Sequence, residues 1–431
     1  MKYFIKTWGC QMNVLDSEKM AGLLRGLGYE PADRERDADV ILLNTCSVRG
    51  GPENKVFTEL GRLKKLKEER EVILGLVGCV AQQEKEAVFQ RAPHVDLVMG
   101  PRGIRHLPEL LAQAKRQRAV DVEFHDDSVL FPDEEIARSL PTKAYVTVME
   151  GCDKKCAFCV VPFTRGSEVC RPLEDVANEA NRAVEAGYLE VELLGQNVNC
   201  WKYGRQRFPD LLAAVSDVPG LKRLRFTTSH PRHFPLAAAD LMAERENLMP
   251  YLHLPVQAGS DRILKLMRRQ YDRAWYLDLV SEIRKRVPEI AFSSDVIVGF
   301  PTEAEEDFQD TLGLVREVEF DTLFSFRYSP RPGTLAAGMR PVPTAVARER
   351  HQRLLDLQLE IQTRRFATSV GQTVEVLVEG ESKKGRQICG RSPDNKVVNF
   401  TCARSAAVNT LVPVRITASN VNSLLGEAVE T

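Results

Sequence analysis

At 431 residues the chain is too long for one ordinary hydrophobic core, and its length implies about three domains. Charged residues make up 28% and hydrophobic ones 43%, which excludes a disordered chain and a membrane-embedded one. A net charge of −1 provides no long-range attraction to nucleic acid, so any RNA contact must rest on local patches.

The first residues, MKYFIKTWGC, alternate as a strand does and lack the apolar centre of a signal peptide. No apolar run approaches the length of a membrane span, so no membrane association and a cytoplasmic location are expected. Ten cysteines in a chain of this kind favour metal ligands or catalytic thiols over structural disulfides.

Residues 1–118 repeat a strand-helix unit. KYFIKTWG, ADVILLNT, EVILGLVG and DLVMG are β-rich apolar runs, followed by helix-like DSEKMAGLLRGL, ENKVFTELGRLKKLKEE, AQQEKEAVFQRA and HLPELLAQAKRQ. Such alternation predicts a parallel sheet with right-handed crossovers. Cys10, Cys46 and Cys79 each stand at the carboxyl end of one of those strands, the edge at which open parallel sheets bind ligands. A single cysteine there is ordinarily a small buried hydrophobe. Three at equivalent positions point to a shared metal site.

Residues 119–137 are acidic and irregular and read as a linker or strap. From 138 to 368 strand-like runs recur in KAYVTVMEGC, LEVELLGQN, RLRFTTSHP, YLHLPVQ, AFSSDVIVGFP and TLFSFRYSP, with amphipathic helical stretches between them. Six β/α units make a partial (β/α)6 barrel, two units short of the closed eight-stranded form and open on one side. Polar residues gather at the strand ends: Gln196, Asn197, Ser229, His230, Gln257, Asp295 and Arg327. His253 reads as a packed, hydrogen-bonded core histidine. TAVARERHQRLLDLQLEIQTRRFATS predicts a long helix with a solvated arginine face. Residues 369–431 change to short alternating strands and predict a small all-β barrel of the kind used to bind RNA. Its charge is nearly balanced, with Lys383, Lys384, Arg386, Arg391, Lys396, Arg404 and Arg415 facing six carboxylates.

The stretch GCDKKCAFCVVPFTRG places Cys152, Cys156 and Cys159 within eight positions. Structural zinc takes four ligands, normally in paired clusters, and the one nearby candidate for a fourth is Cys170. A 4Fe-4S cube can be held by three cysteines, leaving one iron open. S-adenosylmethionine (SAM) can chelate that iron, and reductive cleavage of SAM then yields a 5′-deoxyadenosyl radical.

The Cys-x3-Cys-x-aromatic-Cys pattern, with Phe158 as the aromatic, resembles the radical-SAM signature, and it follows the first strand of a partial barrel. A three-cysteine α/β domain, a radical-SAM core and a TRAM barrel in that order resemble the radical-SAM methylthiotransferase family over essentially the whole chain. Within it, WGCQMNVLDSEKM, LLNTCSVR, VGCVAQQ, CVVPFTRGSEVCRP, LLGQNVN, FTTSHP and YSPRPGT are similar to the MiaB branch. The resemblance implies an auxiliary 4Fe-4S cluster on Cys10, Cys46 and Cys79, beside the cluster on Cys152, Cys156 and Cys159. It also implies SAM contacts at Phe158, Gln196, Gln257 and Asp295. The implied reaction adds a methylthio group to C2 of N6-isopentenyladenosine at tRNA position 37. One SAM methylates sulfur at the auxiliary cluster and another makes the radical. Expected partners are tRNA with isopentenylated adenosine 37 and a low-potential electron donor such as flavodoxin or ferredoxin, the chain acting as a monomer.

Three alternatives remain open on the residues alone. Two are the methylthiotransferase branches for threonylcarbamoyl-adenosine 37 and for a ribosomal protein aspartate, against which FTTSHP and GQNVN weigh. The third is a non-catalytic RNA-binding protein stabilised by zinc. The stretch RGGPENKV departs from the family: Gly50 and Gly51 loosen the backbone beside the auxiliary site, and Pro52 suits a helix start. Cys170, Cys200, Cys389 and Cys402 read as non-ligand thiols.

Overall fold

The computed structural model describes residues 1–47, 50–125, 131–132, 135–382, 385, 387–402 and 406–429. Arg49, Lys383, Lys384, Arg386 and Arg404 lie outside the described residues. Among the described residues no helix is long and apolar enough to cross a membrane.

The first domain is a parallel six-stranded sheet. Its strands are β1 (Lys2–Trp8), β2 (Glu30–Pro31), β3 (Val40–Thr45), β4 (Ile73–Gly78), β5 (Leu97–Met99) and β6 (Ala119–Asp121), in the order β2-β1-β3-β4-β5-β6. Both central strands are buried on two faces, which is why VILLNT and ILGLVG read as continuous apolar runs. The strand β6 comes from the segment expected to be a linker. Three residues are too few to show a period, and pairing with β5 supplied what the sequence could not. The helix expected over AQQEKEAVFQRA is broken into Cys79–Glu84, a tight turn at Lys85–Ala87 and Val88–Arg91, with Lys85 at φ 50°. The helix following β3 begins at Gly50, so Pro52 falls in its first turn, where its missing N–H is not needed.

The second domain is a curved wall of six parallel strands in chain order: Lys143–Thr147, Glu190–Leu194, Arg223–Phe226, Tyr251–His253, Ala291–Val298 and Thr322–Arg327. A single bridge between Leu224 and Leu248 joins the two halves, and the first and last strands leave the wall open. The long helix Thr344–Ala367 packs across the last strand. Two of its arginines correct the expectation of a wholly solvated face. Arg350 is buried on Glu303 at 2.9 Å, and Arg365 bonds Asp321 at 3.0 Å. Burial of the apolar residues of this helix carries those guanidiniums inward, where each requires an anion.

The third domain is a closed barrel of five strands: Thr373–Glu381, Ile388–Arg391, Val397–Thr401, Leu411–Asn420 and Ser423–Ala428. Arg223 and Arg225 anchor it by donating to the carbonyls of Glu375, Arg391, Ser392 and Pro393. These contacts sit at the amino-terminal ends of the wall strands, opposite the cysteine loop. Within the barrel Arg391 and Lys396 are drawn to Glu379 and Asp394.

The first two domains are sewn together. Helix Gln11–Gly26 contributes Met12 and Leu15 to a small core shared with Tyr145 and Leu194 of the wall. Beside it lie the buried pairs Asp16–Arg165 at 2.5 Å and Lys19–Glu150 at 3.5 Å. Glu18 holds the end of the strap, its carbonyl accepting from Ala137 N at 3.1 Å, and its carboxylate accepts from the backbone and hydroxyl of Ser139 just beyond.

Candidate active site

Cys10 caps the first helix, Cys46 follows β3 and Cys79 opens the helix after β4. Their strands are neighbours, so residues 36 and 33 positions apart in sequence arrive at one edge. Cys46 shares hydrogen bonds with both other thiols. That bond, aided by the charge of Arg165 and opposed by burial, holds Cys10 and Cys79 below the usual thiol range; Cys46, the shared partner, is pushed up. The edge is locked by two fully buried amides that sequence reasoning missed. Asn13 Nδ2 donates to Asn44 Oδ1 at 3.1 Å, and Asn44 Nδ2 donates to Asn13 O at 2.8 Å and Ser17 Oγ at 2.9 Å. The signal for Asn44 was a polar residue inside an otherwise apolar strand. Gly78, at φ 88°, has room for no side chain: a Cβ would lie 2.4 Å from Asn44 Oδ1.

Cys152, Cys156 and Cys159 lie on the loop after the first wall strand. Gly151, at φ 79°, allows the loop to pass Ser167, whose carbonyl would be 2.0 Å from an added Cβ. Cys152 N donates to Gly166 O at 3.0 Å and Ala157 N to Met267 O at 3.0 Å. Burial pushes Cys152 up to about 11 and Cys159 up to about 12, each reinforced by neighbouring thiols. Thiols so placed ionise when a cation is supplied.

Each triad offers three thiols, one fewer than closed zinc takes and enough to hold a 4Fe-4S cube. Among the described residues buried Thr45 Oγ1 and Ser47 Oγ flank Cys46 without a partner, two hydroxyls that could donate to the sulfur of a cluster bound there.

A cavity of about 880 Å³ opens beside the cysteine loop, lined by Phe158, Cys159, Gln257, Asp295, Arg327 and His351 among others. Of the four expected SAM contacts, Phe158, Gln257 and Asp295 line it. Gln196 is placed differently: its Oε1 accepts from Gly151 N at 2.6 Å, so it props the cysteine loop. Asp295 Oδ2 also lies 3.6 Å from Nε2 of His253, whose Nδ1 meets Ser293 Oγ at 2.8 Å in the packed role expected.

The GQNVN and TTSHP loops interlock. His230 N donates to Asn199 Oδ1 at 2.8 Å, and Asn199 Nδ2 donates to His230 O at 2.9 Å. Burial, then the charge of Arg269, pushes His230 down to about 2, so its ring is neutral. Asn197 Nδ2, Ser229 Oγ, His230 Nδ1 and His233 Nε2 are buried with no partner among the described residues. A concentration of orphaned polar atoms on two adjoining loops is what a polar ligand leaves behind when it is absent.

The remaining cysteines have other surroundings. Cys170 and Cys402 pack partly buried against the second and third cores, and burial pushes Cys200 up against the charge of Lys154. Away from the triads, Asp121 receives His106 Nδ1 at 2.8 Å and His125 Nε2 at 2.9 Å, a hydrogen-bonded knot at the end of β6.

Three family models match the chain: an uncharacterised family (UPF0004) over residues 2–100, the radical SAM superfamily over 146–315 and the TRAM domain over 367–429. The chain is similar to the tRNA-2-methylthio-N(6)-dimethylallyladenosine synthase of Bacillus pumilus, 45% identical over 99% of this chain and 86% of that protein. It is 44% identical to the synthase of Bartonella henselae, over 99% of this chain and 96% of the other. In fold it is similar to a solved structure of the radical S-adenosylmethionine methyltransferase TsrM from Kitasatospora setae with cobalamin and a [4Fe-4S] cluster bound. That match has a TM-score of 0.58 and 16% identity, and it covers 78% of this chain and 76% of the other. With three domain models in the expected order and full-length relatives at this identity, the chain belongs to the tRNA-2-methylthio-N(6)-dimethylallyladenosine synthase family.

Proposed function

We propose that the chain is a radical SAM methylthiotransferase that adds a methylthio group to C2 of N6-isopentenyladenosine at position 37 of tRNA. The observation that carries this reading is the presence of two separate three-thiol sites on elements that touch. Helix Cys79–Glu84 packs against helix Val161–Arg165, which begins two residues after Cys159. Two 4Fe-4S clusters and SAM supply, when bound, the radical and sulfur chemistry that C2 requires, a carbon with neither an acidic proton nor a leaving group.

The chain's own residues divide the remaining work. Cys152, Cys156 and Cys159 hold the cluster with the open iron, and Cys10, Cys46 and Cys79 hold the auxiliary one. Phe158, Gln257 and Asp295 line the SAM cavity, while Gln196 fixes the loop beneath it. The open side of the wall admits a base splayed out of a single-stranded loop. The five-stranded barrel holds the RNA backbone. A low-potential donor such as flavodoxin or ferredoxin supplies the electron, and the chain acts as a cytoplasmic monomer.

The test is incubation of the reconstituted protein with SAM, a reductant and tRNA from cells lacking the modification, followed by nucleoside mass spectrometry. The methylthio product on isopentenyladenosine is expected. Product confined to threonylcarbamoyl-adenosine or to a ribosomal protein, or a colourless zinc protein in place of a brown one with about eight irons, would overturn the proposal.

A further inference from the structure

Arg269 is a buried cation among the described residues with no carboxylate inside ion-pair distance. Each of its three nitrogens nevertheless donates. Nε donates to Tyr271 Oη at 3.0 Å, Nη2 to Pro255 O at 2.8 Å and Nη1 to Cys156 Sγ at 3.5 Å. Tyr271 is itself fixed, its hydroxyl donating to Val256 O at 2.9 Å. The neighbours Arg268 and Gln270 stand at φ 59° and 63°, a left-handed conformation that side-chain-bearing residues adopt rarely. The same turn holds the cysteine loop by its backbone, through Ala157 N and Met267 O.

A guanidinium taken out of water without an anion is strongly unfavourable, and one carbonyl and a phenol carry no net charge. The group in contact that can supply a full negative charge is Cys156, once its sulfur is a metal-bound thiolate. We infer that Arg269 is a positioning residue for the open cluster: held by Tyr271 and Pro255, it fixes the Cys156 sulfur through Nη1, and its charge raises the reduction potential of the cube that this sulfur holds. The physical reason is that a reduced cluster carries one more negative charge than an oxidised one, so a nearby cation and an N–H···S bond stabilise the reduced form more. The inference rests on the proposed placement of that cluster on Cys152, Cys156 and Cys159.

The experiment is a redox titration of the reconstituted full-length protein followed by electron paramagnetic resonance, reading the signal that changes when SAM is added. R269M should shift its midpoint to a more negative potential while the SAM-insensitive signal keeps its own. R269K, which retains charge without the fork, should shift it less. An unchanged midpoint in R269M overturns the inference. If R269M holds only about four irons and loses the SAM-responsive signal, R269Q, which keeps an N–H donor without the charge, decides: a more negative midpoint supports the inference, and a midpoint at the wild-type value overturns it. A wild-type protein with no SAM-responsive signal refutes the cluster placement itself, an outcome distinct from either.

Discussion

The two cysteine triads are put together by opposite routes. Cys152, Cys156 and Cys159 are local: eight residues of loop, one obligatory glycine and a few backbone bonds place them. Cys10, Cys46 and Cys79 are assembled by a sheet, and their meeting depends on strand register, on the Asn13–Asn44 amide pair and on a charge brought from another domain. A local site is robust to distant change. A site built across 70 residues inherits every error in the fold that carries it.

Removing one ligand from each triad should break the comparison most completely. Cys46→Ala is expected to lower iron from about eight to about four per chain and abolish the methylthio product, while SAM-derived 5′-deoxyadenosine still forms. Cys156→Ala should abolish both, read by iron assay and by mass spectrometry of the small molecules.

The joint between the triads is the next target. Asp16 and Arg165 are each almost fully buried, and Asp16→Asn leaves the guanidinium without its anion at a cost of about 3–5 kcal/mol. Urea unfolding of the full chain should show that loss, and iron should leave the assembled triad before the local one.

At the far end of the wall Glu190 is held between Arg225 at 3.0 Å and Lys143 at 2.9 Å. Burial alone would raise its carboxyl, but the two cations outweigh it and hold the group at about 2. The unfolded chain therefore binds a proton that the folded one does not as pH falls below the ordinary glutamate range. The stabilisation is complete above about pH 4.5 and fades toward pH 2. Glu190→Gln should cost roughly 3 kcal/mol at neutral pH, and its gap from the wild type should narrow across that window in unfolding experiments. It should leave the iron content of both triads intact.

The smallest effects are expected at the cysteines outside the triads. Cys389→Ser and Cys402→Ser should leave iron content and product unchanged and alter stability by no more than about 1 kcal/mol.

Much of this was legible in the residues. The parallel strands of the first domain, the six wall strands and the all-β third domain follow from apolar runs, alternation and turn residues. Both triads stand out because cysteines recur at strand ends or at motif spacing. Other features were not legible. A three-residue strand such as Ala119–Asp121 has no period to read, and the break at Lys85 is a tertiary adjustment inside a helical pattern. Gln196 stood at a strand end like Gln257 and Asp295, yet it turned to the backbone of Gly151 instead of the cavity. Arg165 and Arg269 sit in the stretches FTRG and MRRQY, where a single arginine reads as a surface charge.

The sequence by itself determined the local features: which segments alternate, where a glycine must stand, and which thiols share eight positions. Those depend on neighbours in the chain, whose spacing is fixed by covalent geometry. Only the tertiary structure decided which amides lock Cys10 to Cys46 and which guanidinium faces which sulfur, and it also set which face of the wall carries the third domain. Buried polar partners are chosen by what remains unsatisfied after the cores have packed, and that balance is known only once the distant segments have met.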